Sequence, residues 1–250
     1  MFEQFLLFFV ALVANAFSAF AGGGAGLLQL PALIFLGLPF TQALATHKLA
    51  SVALGVGATV RHLRENALQR RFILLLLVCG IPGVIGGAHI VLLVTDDRSA
   101  EIALGILTLS LAVYSWLNPS LGQNMDALHR TGRGYVIGGL VLILIGALNG
   151  SLTSGTGLFV TLWLIRWFGL DYRHAVAHTL VLVGIFWNGA GATVLGIYGE
   201  IRWDWIPALL LGSLLGGYLG AHLSWVKGNR LIKRAFEIVT LAVGVKLMLG

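Results

Sequence analysis

The side chains best suited to bind a ligand follow two glycine-rich stretches. Residues 22–26 read Gly-Gly-Gly-Ala-Gly, and after a short apolar run residues 43–48 read Ala-Leu-Ala-Thr-His-Lys. Residues 151–157 read Ser-Leu-Thr-Ser-Gly-Thr-Gly, and residues 174–179 read His-Ala-Val-Ala-His-Thr. Ammonium, imidazole, hydroxyl and amide groups all donate hydrogen bonds, and few carboxylates lie near them in sequence, so this set suits an oxyanion. The predicted substrate-binding residues are Gly22, Gly23, Gly24, Gln29, Thr46, His47, Lys48, Ser51, Thr153, Ser154, Gly155, Thr156, His178 and Thr179.

Lys48 is the most informative residue of this set. It lies about seven residues into an apolar segment of spanning length, and a lysine at the bilayer centre costs ~2.5–3.5 kcal/mol on insertion scales. We therefore expect it to face a cavity and to bind the charge of the substrate. The alternative is that its long side chain reaches the nearby membrane interface.

His47 and His178 are predicted to hydrogen-bond the substrate or to take up a proton with it, since imidazole titrates near neutral pH. The threonine and serine hydroxyls are predicted to contact the oxyanion, with the alternative that they bond to carbonyls of their own helix. His174 and His178 have the i,i+4 spacing of metal ligands, but no Glu lies between them and no third ligand is evident. We predict neither a metal site nor a cofactor.

The glycine-rich stretches predict breaks between helices. Four glycines in five residues cannot support a stable helix. Unwound backbone at membrane depth is tolerated only where it is buried in protein or lines a water-filled cavity. Each break leaves free N–H groups at the start of the next helix, near Leu27 and Leu158, and these groups favour an anion.

The composition is that of an integral membrane protein. Of the 250 residues, 58% are hydrophobic and only 10% are charged, with a mean hydropathy of +0.91, against about a quarter charged in soluble domains. The net charge of +6 could indicate nucleic acid. However, the basic residues lie beside apolar segments, where they set orientation in the bilayer. We therefore predict an all-α polytopic protein whose surroundings are lipid, with no nucleic-acid partner.

The apolar segments number ten and fall into two similar halves. They are residues 2–21, 26–38, 41–60, 72–94, 99–117, 134–152, 157–169, 173–198, 203–226 and 232–249. Most reach the ~20 residues that a spanning helix needs, but the second segment of each half is too short. The halves match at an offset of 131 to 134 residues. We predict two homologous repeats, residues 1–117 and 134–250, joined by a cytoplasmic linker at residues 118–133.

The distribution of basic residues distinguishes two topologies. If the short segments cross, there are ten spans, the repeats are inverted, and twelve Lys and Arg residues lie in the cytoplasm against two outside. If the short segments re-enter, there are eight spans and the count is about seven against seven. The excess of basic residues on cytoplasmic loops favours the inverted arrangement.

Paired glycine breaks with a short segment and polar neighbours, at matching places in two halves, indicate the binding site of a transporter. An intramembrane enzyme is the competing class. The sequence contains no G-x-S-x-G elbow, P-loop or dinucleotide fingerprint. The apolar segments also contain almost no carboxylate that could act as a base. We predict that the protein is not an enzyme.

These features together resemble the sulfite exporter TauE/SafE family, also called the 4-toluene sulfonate uptake permease family. The resemblance covers nearly the whole chain. It depends on the glycine-rich break and short segment at 22–38, on Ala43 and Thr46, on the basic loop at 61–71, and on their weaker repetition in the second half. His47 and Lys48 depart from the family's usual small-Thr-Ser pattern, as does His178, which stands where a small residue is frequent.

The resemblance implies a secondary transporter of sulfur-containing anions, such as sulfite or organosulfonates, in the bacterial inner membrane. We expect alternating access and coupling to protons. The alternatives are an anion channel and a permease for another small organic anion. Which anion is carried, the direction of transport and the oligomeric state stay open, with a homodimer as one alternative.

Overall fold

The computed structural model describes residues 2–92, 97–152, 156–198 and 201–249. These residues are predominantly helical and contain no strand, so the prediction of an all-α polytopic fold is confirmed. Three of the predicted site residues, Thr153, Ser154 and Gly155, lie outside the described residues.

Each of the ten predicted apolar segments corresponds to one helix or to one continuous helical run. The first half contains α1 (Phe2–Ala21), α2 (Ala25–Phe35), α3 (Phe40–Leu63), α4 (Arg70–Leu75), a π-helical segment (Leu76–Gly80), α5 (Ile81–Val91) and α6 (Asp97–Leu117). The second half contains α7 (Gly132–Leu152), α8 (Thr156–Phe168), α9 (Tyr172–His178), a second π-helical segment (Thr179–Trp187), α10 (Asn188–Tyr198), a 3₁₀ turn (Trp203–Trp205), α11 (Ile206–Lys227) and α12 (Asn229–Leu249).

Six helical runs among the described residues are long and apolar enough to cross a membrane. They are Glu3–Ala21, Phe40–Leu63, Arg70–Val91, Gly132–Leu152, Tyr172–Tyr198 and Trp203–Lys227. By contrast, α2 has 11 residues and α8 has 13, fewer than the ~20 that a perpendicular span requires. The protein is therefore a multi-pass membrane protein, and the inverted relation of its halves stays a prediction.

Glycines allow two pairs of long helices to pack closely. α1 packs along α11, and α5 packs along α7. A Cβ atom on Gly212 would lie 2.4 Å from the carbonyl oxygen of Phe8, and one on Gly87 would lie 1.9 Å from that of Ala147. Both distances are too short for any side chain, so backbone meets backbone at these positions. The same close approach of backbone occurs at Gly83, Gly216 and Gly220.

Several loops meet at one end of the helix bundle. The backbone N–H of Asp126 donates to the carbonyl of Gly169 at 2.9 Å, and that of Arg173 donates to Oδ1 of Asn229 at 3.1 Å. The twelve basic residues assigned to the cytoplasm flank these loops, the 64–69 loop and the turn at Gly228; they are Arg61, Arg64, Arg70, Arg71, Arg130, Arg133, Arg166, Arg173, Lys227, Arg230, Lys233 and Arg234. We call this the basic end, and the positive-inside rule predicts that it faces the cytoplasm.

The two π-helical segments pack against each other beside the centre of the bundle. The indole Nε1 of Trp187 donates to the carbonyl oxygen of Leu76 at 2.9 Å. The same ring fills the space above Gly80, where a Cβ would lie 1.8 Å from it. π-helical segments occur frequently at functional sites because they shift helix register locally. Here the segment Thr179–Trp187 borders the cavity described next.

Candidate substrate-binding site

A small cavity, which we call the central cavity, lies where the two halves of the chain meet. Its volume is about 40 Å³, which is room for a few water molecules at roughly 10–15 Å³ each. None of the described residues that line it is acidic. Its polar and glycine lining is Ser18, Gly23, Gly24, Gly26, His47, Ser51, Asn149, Thr156, Gly157, Thr179, Gly184 and Asn188.

The first glycine break adopts a backbone that only glycine accommodates readily. Gly22, Gly23 and Gly24 have φ values of +92°, +135° and +97°, in the region that side chains disfavour. A Cβ on Gly23 would lie 2.6 Å from the carbonyl carbon of Gly157. The start of the break and the start of α8 are therefore in direct contact, as a site shared by two halves requires.

Helix α2 begins immediately after this break without a side-chain cap. Its N-cap residue is Gly24, which has no side chain that could cap the first turn. The first N–H groups of a helix have no partner within the helix, and the helix dipole adds partial positive charge there. The start of α2 therefore places backbone N–H groups at the edge of the cavity, which Gly24, Ala25 and Gly26 line.

His47 lies within a buried chain of polar side chains that joins four helices. Its Nδ1 lies 3.1 Å from Oε1 of Gln29 on α2, and the hydroxyl of Ser51 lies 3.3 Å from its Nε2. Nδ2 of Asn15 on α1 donates to Oε1 of Gln29 at 3.1 Å and to Oγ of Ser213 on α11 at 3.0 Å. All five side chains are buried.

The partners of His47 determine its tautomer in this arrangement. Oε1 of Gln29 can only accept a hydrogen bond, so Nδ1 of His47 donates and Nε2 accepts from the Ser51 hydroxyl. Nε2 of Gln29 has no hydrogen-bond partner among the described residues. A buried amide donor therefore remains available beside His47.

Lys48 is fully buried and connects α3 to α7. Its Nζ donates to the carbonyl oxygen of Asn149 at 2.7 Å and lies 3.2 Å from Oδ1 of the same residue. Nδ2 of Asn149 donates in turn to Oγ1 of Thr156 at 2.9 Å. No carboxylate of the described residues lies within ion-pair distance of the amine. The ammonium group is thus one hydrogen bond away from Asn149 and two away from Thr156, and both of these residues line the cavity.

Thr161 of α8 fixes the first break from the opposite half. Its hydroxyl donates to the carbonyl oxygen of Gly22 at 2.6 Å, and its Oγ1 lies 2.9 Å from Oγ1 of Thr179. All of its side chain is buried. A carbonyl that the break leaves without a helical partner is therefore satisfied by α8.

Two predicted residues lie elsewhere. Oγ1 of Thr46 accepts from the backbone N–H of Arg202 at 3.0 Å, so this hydroxyl holds the loop before α11. Nδ1 of His178 donates to the carbonyl of His174 at 2.7 Å, and its Nε2 accepts from the backbone N–H of Gln69 at 2.8 Å. Both ring nitrogens of His178 are engaged by backbone groups near the basic end, and this side chain does not line the cavity.

The structure brings together the other described members of the predicted set. Gly23, Gly24, His47, Ser51, Thr156 and Thr179 line the cavity, while Gly22, Gln29 and Lys48 contact residues at its edge. The predicted set did not include Asn15, Ser18, Asn149, Thr161, Asn188 or Ser213. An amide within an apolar segment, such as Asn15, was the available signal. Among the described residues, no three His, Cys, Asp or Glu side chains are placed to hold a metal ion.

Comparison with known proteins gives a consistent result. The family model described as sulfite exporter TauE/SafE matches residues 7–247. The chain is 30% identical over 243 residues to "Probable membrane transporter protein ORF9" of Sinorhizobium sp, with 97% of this chain and 91% of the relative covered. It is also 30% identical over 244 residues to a "Probable membrane transporter protein" of Haemophilus influenzae, covering 97% and 93%. "Probable membrane transporter protein YfcA" of Escherichia coli K12 is 30% identical over 245 residues, with 97% and 88% covered. No solved structure matches the chain.

Proposed function

Because the chain belongs to the sulfite exporter TauE/SafE family, we propose that it carries small sulfur oxyanions, sulfite first among them, across the bacterial inner membrane. It is a multi-pass membrane transporter of this family's type, and its relatives are named as membrane transporters. The identity of the substrate, the coupling to protons and alternating access are the parts of the proposal that go beyond this general class.

The observation that carries the proposal is the central cavity, whose described lining residues include hydrogen-bond donors and no acidic side chain. Hydroxyl, imidazole and amide groups from both halves converge there. Oxyanions are bound in proteins by such donors and by the start of a helix. The cavity volume of about 40 Å³ corresponds to roughly three waters. This volume fits a four-atom oxyanion better than an aromatic sulfonate, which would require the cavity to open further.

In this proposal Lys48 balances the charge of the substrate. Its amine moves from the carbonyl of Asn149 toward the anion, or it holds Asn149 so that the Nδ2 group donates to the anion. The hydroxyls of Ser51, Thr156 and Thr179 contact the oxyanion. The N–H groups of Gly22 and Gly23 donate to the carbonyl of Ser18 at 2.9 Å, so the first break contributes the N–H groups at the start of α2, after Gly24. For the second break, backbone donors from Thr153, Ser154 and Gly155 are part of the proposal. Thr46 and His178 act indirectly, by holding loops in place.

His47 is the proposed site of proton coupling. Its imidazole lines the cavity, and imidazole is the side chain whose ordinary pKa is nearest to neutral pH. Uptake of a proton would turn Nε2 into a donor, and this nitrogen now accepts from Ser51. Anion and proton would then enter and leave the cavity together. Alternating access would proceed by movement of one helix bundle against the other around the cavity.

Uptake into proteoliposomes tests this proposal. The anions compared are sulfite, sulfoacetate and 4-toluenesulfonate, with acetate as the control for other organic anions, each with and without an inward proton gradient. Saturable uptake of sulfite that the gradient stimulates supports the proposal. Flux that does not saturate and ignores the gradient indicates a channel. Uptake of acetate without sulfite would identify a permease for another anion.

A further inference from the structure

Two adjoining cavities lie beside α6 and α12. The loop after α6 also lines the polar one, through Pro119, Ser120, Gln123 and Asn124. The polar cavity has a volume of about 750 Å³, and the apolar cavity has a volume of about 250 Å³. Trp116 and Glu237 line both cavities, so the two form one continuous depression, which we call the α6–α12 groove. The groove is separate from the central cavity, with which it shares no lining residue.

The polar part of the groove carries an excess of positive charge. Arg230 and Arg234 lie one helical turn apart on α12 and are exposed. No carboxylate of the described residues lies within ion-pair distance of either guanidinium. Glu237 is already paired with Lys233, which is only 6% exposed and also donates to the carbonyl of Ser115 at 2.5 Å. Three cations against one carboxylate leave a net charge of +2, located on the two arginines.

The other part of the groove is apolar and faces outward. Ala112 and Val113 of α6 and Ile238 and Leu241 of α12 line it. Ile238 is 68% exposed and Leu241 is 51% exposed. Trp116, at the boundary between the two parts, is 71% exposed. An exposed tryptophan between charged and apolar surface is typical of the level of lipid headgroups.

We propose that the α6–α12 groove binds one anionic phospholipid, with its phosphate on Arg230 and Arg234 and one acyl chain along Val113, Ile238 and Leu241. The groove opens at the basic end, which the positive-inside rule assigns to the cytoplasm. Basic pockets between spanning helices on that side suit anionic headgroups. The guanidinium groups give the bidentate hydrogen bonds that phosphate oxygens favour.

The joined polar and apolar parts indicate a lipid rather than two other occupants. A free phosphate would use the arginines alone and leave the apolar part without a function. A second copy of the chain, related by a two-fold axis through this face, would bring Arg230 and Arg234 close to their own counterparts. Repulsion between these like charges opposes that contact.

Native mass spectrometry of the full-length protein, released from detergent and titrated with lipid, tests this proposal. We expect phosphatidylglycerol to bind more tightly than phosphatidylcholine. The double substitution Arg230→Gln with Arg234→Gln should weaken phosphatidylglycerol binding by about 30-fold, or about 2 kcal/mol. The matched control is Arg70→Gln with Arg71→Gln, two exposed arginines at the same end but outside the groove, and it should change binding by less than about twofold.

Two further measurements keep the test independent of the folding of the arginine variants. Ile238→Trp fills the apolar part and should weaken phosphatidylglycerol binding, and glycerol phosphate should not displace the lipid from the unmodified protein. The proposal would be overturned if phosphatidylglycerol and phosphatidylcholine bound equally well. It would also be overturned if either groove variant bound phosphatidylglycerol as tightly as the wild type, or if equimolar glycerol phosphate displaced the lipid. A dimer that the double arginine substitution dissociates would identify the groove as a contact between copies and would overturn it as well.

Discussion

Nζ of Lys48 on α3 donates a 2.7 Å hydrogen bond to the backbone carbonyl of Asn149 on α7, 101 residues away in sequence. The contact joins the two halves of the chain at the edge of the central cavity. Because Asn149 also donates to Thr156 at 2.9 Å, the buried amine is linked to the start of α8. Movement of Lys48 toward an anion would therefore be transmitted to the residues beside the second break.

The substitution His47→Gln tests the proposed proton coupling. Glutamine can still hydrogen-bond Gln29 and Ser51, but it cannot take up a proton. We expect sulfite exchange to continue while stimulation by an inward proton gradient disappears. His178→Gln is the control, because both ring nitrogens of His178 are engaged by backbone groups. The proton gradient should still stimulate sulfite uptake by this variant. The opposite pattern would reassign coupling to His178.

The substitution Thr161→Val tests the contact between α8 and the first break. Valine has a similar shape but cannot donate to the carbonyl of Gly22, which would lose the 2.6 Å bond. We expect the free energy of unfolding to fall by about 1–3 kcal/mol because a buried acceptor is left unsatisfied, and the KM for sulfite to rise. Thr193→Val is the control, since this exposed hydroxyl donates to the carbonyl of Gly189 in its own helix. Equal behaviour of the two variants would remove the assigned role of Thr161.

The substitution Gly23→Ala tests the direct contact between the two breaks. Its φ of +135° disfavours alanine, and the added Cβ would lie 2.6 Å from backbone of Gly157. We expect both sulfite uptake and the unfolding temperature to fall. Gly86→Ala has no atom within 4 Å of its added Cβ and should leave both unchanged. Normal uptake by Gly23→Ala would show that the breaks need not touch.

Asp171 predicts a pH dependence at the start of α9. Burial raises the pKa of its carboxyl, but hydrogen bonds from the side chain and backbone of His174, the charge of His174 and a hydrogen bond from Asn229 together lower the pKa below its ordinary value. The carboxylate therefore adds stability above its unfolded pKa of about 3.9, and this contribution is lost as pH falls through the lower folded value. Thermal unfolding is measured from pH 3 to pH 7. At pH 7 the unfolding temperature of the wild type should exceed that of Asp171→Asn, and the difference should narrow toward pH 3. A constant gap would contradict this assignment.

The helices could be predicted because spanning segments are specified by composition. The ends of α1 and α7 fall within about three residues of the predicted segments, and the break at Gly23 follows from the conformational preference of glycine. The two π-helical segments could not be predicted, because the carbonyl of Leu76 is satisfied by Trp187, 111 residues away.

The site residues were predicted less completely, for the same physical reason. Lys48 stands out because a buried amine is costly in a membrane, but its partner Asn149 is known only from the fold. His178 has the expected residue type, yet its partner is the backbone of Gln69. Thr161 carried no signal in the sequence, since a threonine in an apolar helix commonly bonds within its own helix.

The substitution Lys48→Met tests the central claim. This claim is that the buried amine of Lys48, where the two halves of the chain meet, balances the negative charge of a sulfur oxyanion. Sulfite uptake into proteoliposomes is measured for wild type, for Lys48→Met and for Lys227→Met, which removes an exposed lysine at the basic end. Loss of a charged hydrogen bond of ~1.5–3 kcal/mol predicts a fall in kcat/KM of about 10- to 100-fold for Lys48→Met alone. Sulfite uptake by folded Lys48→Met at the wild-type rate, or no sulfite uptake by the wild type, would contradict the account.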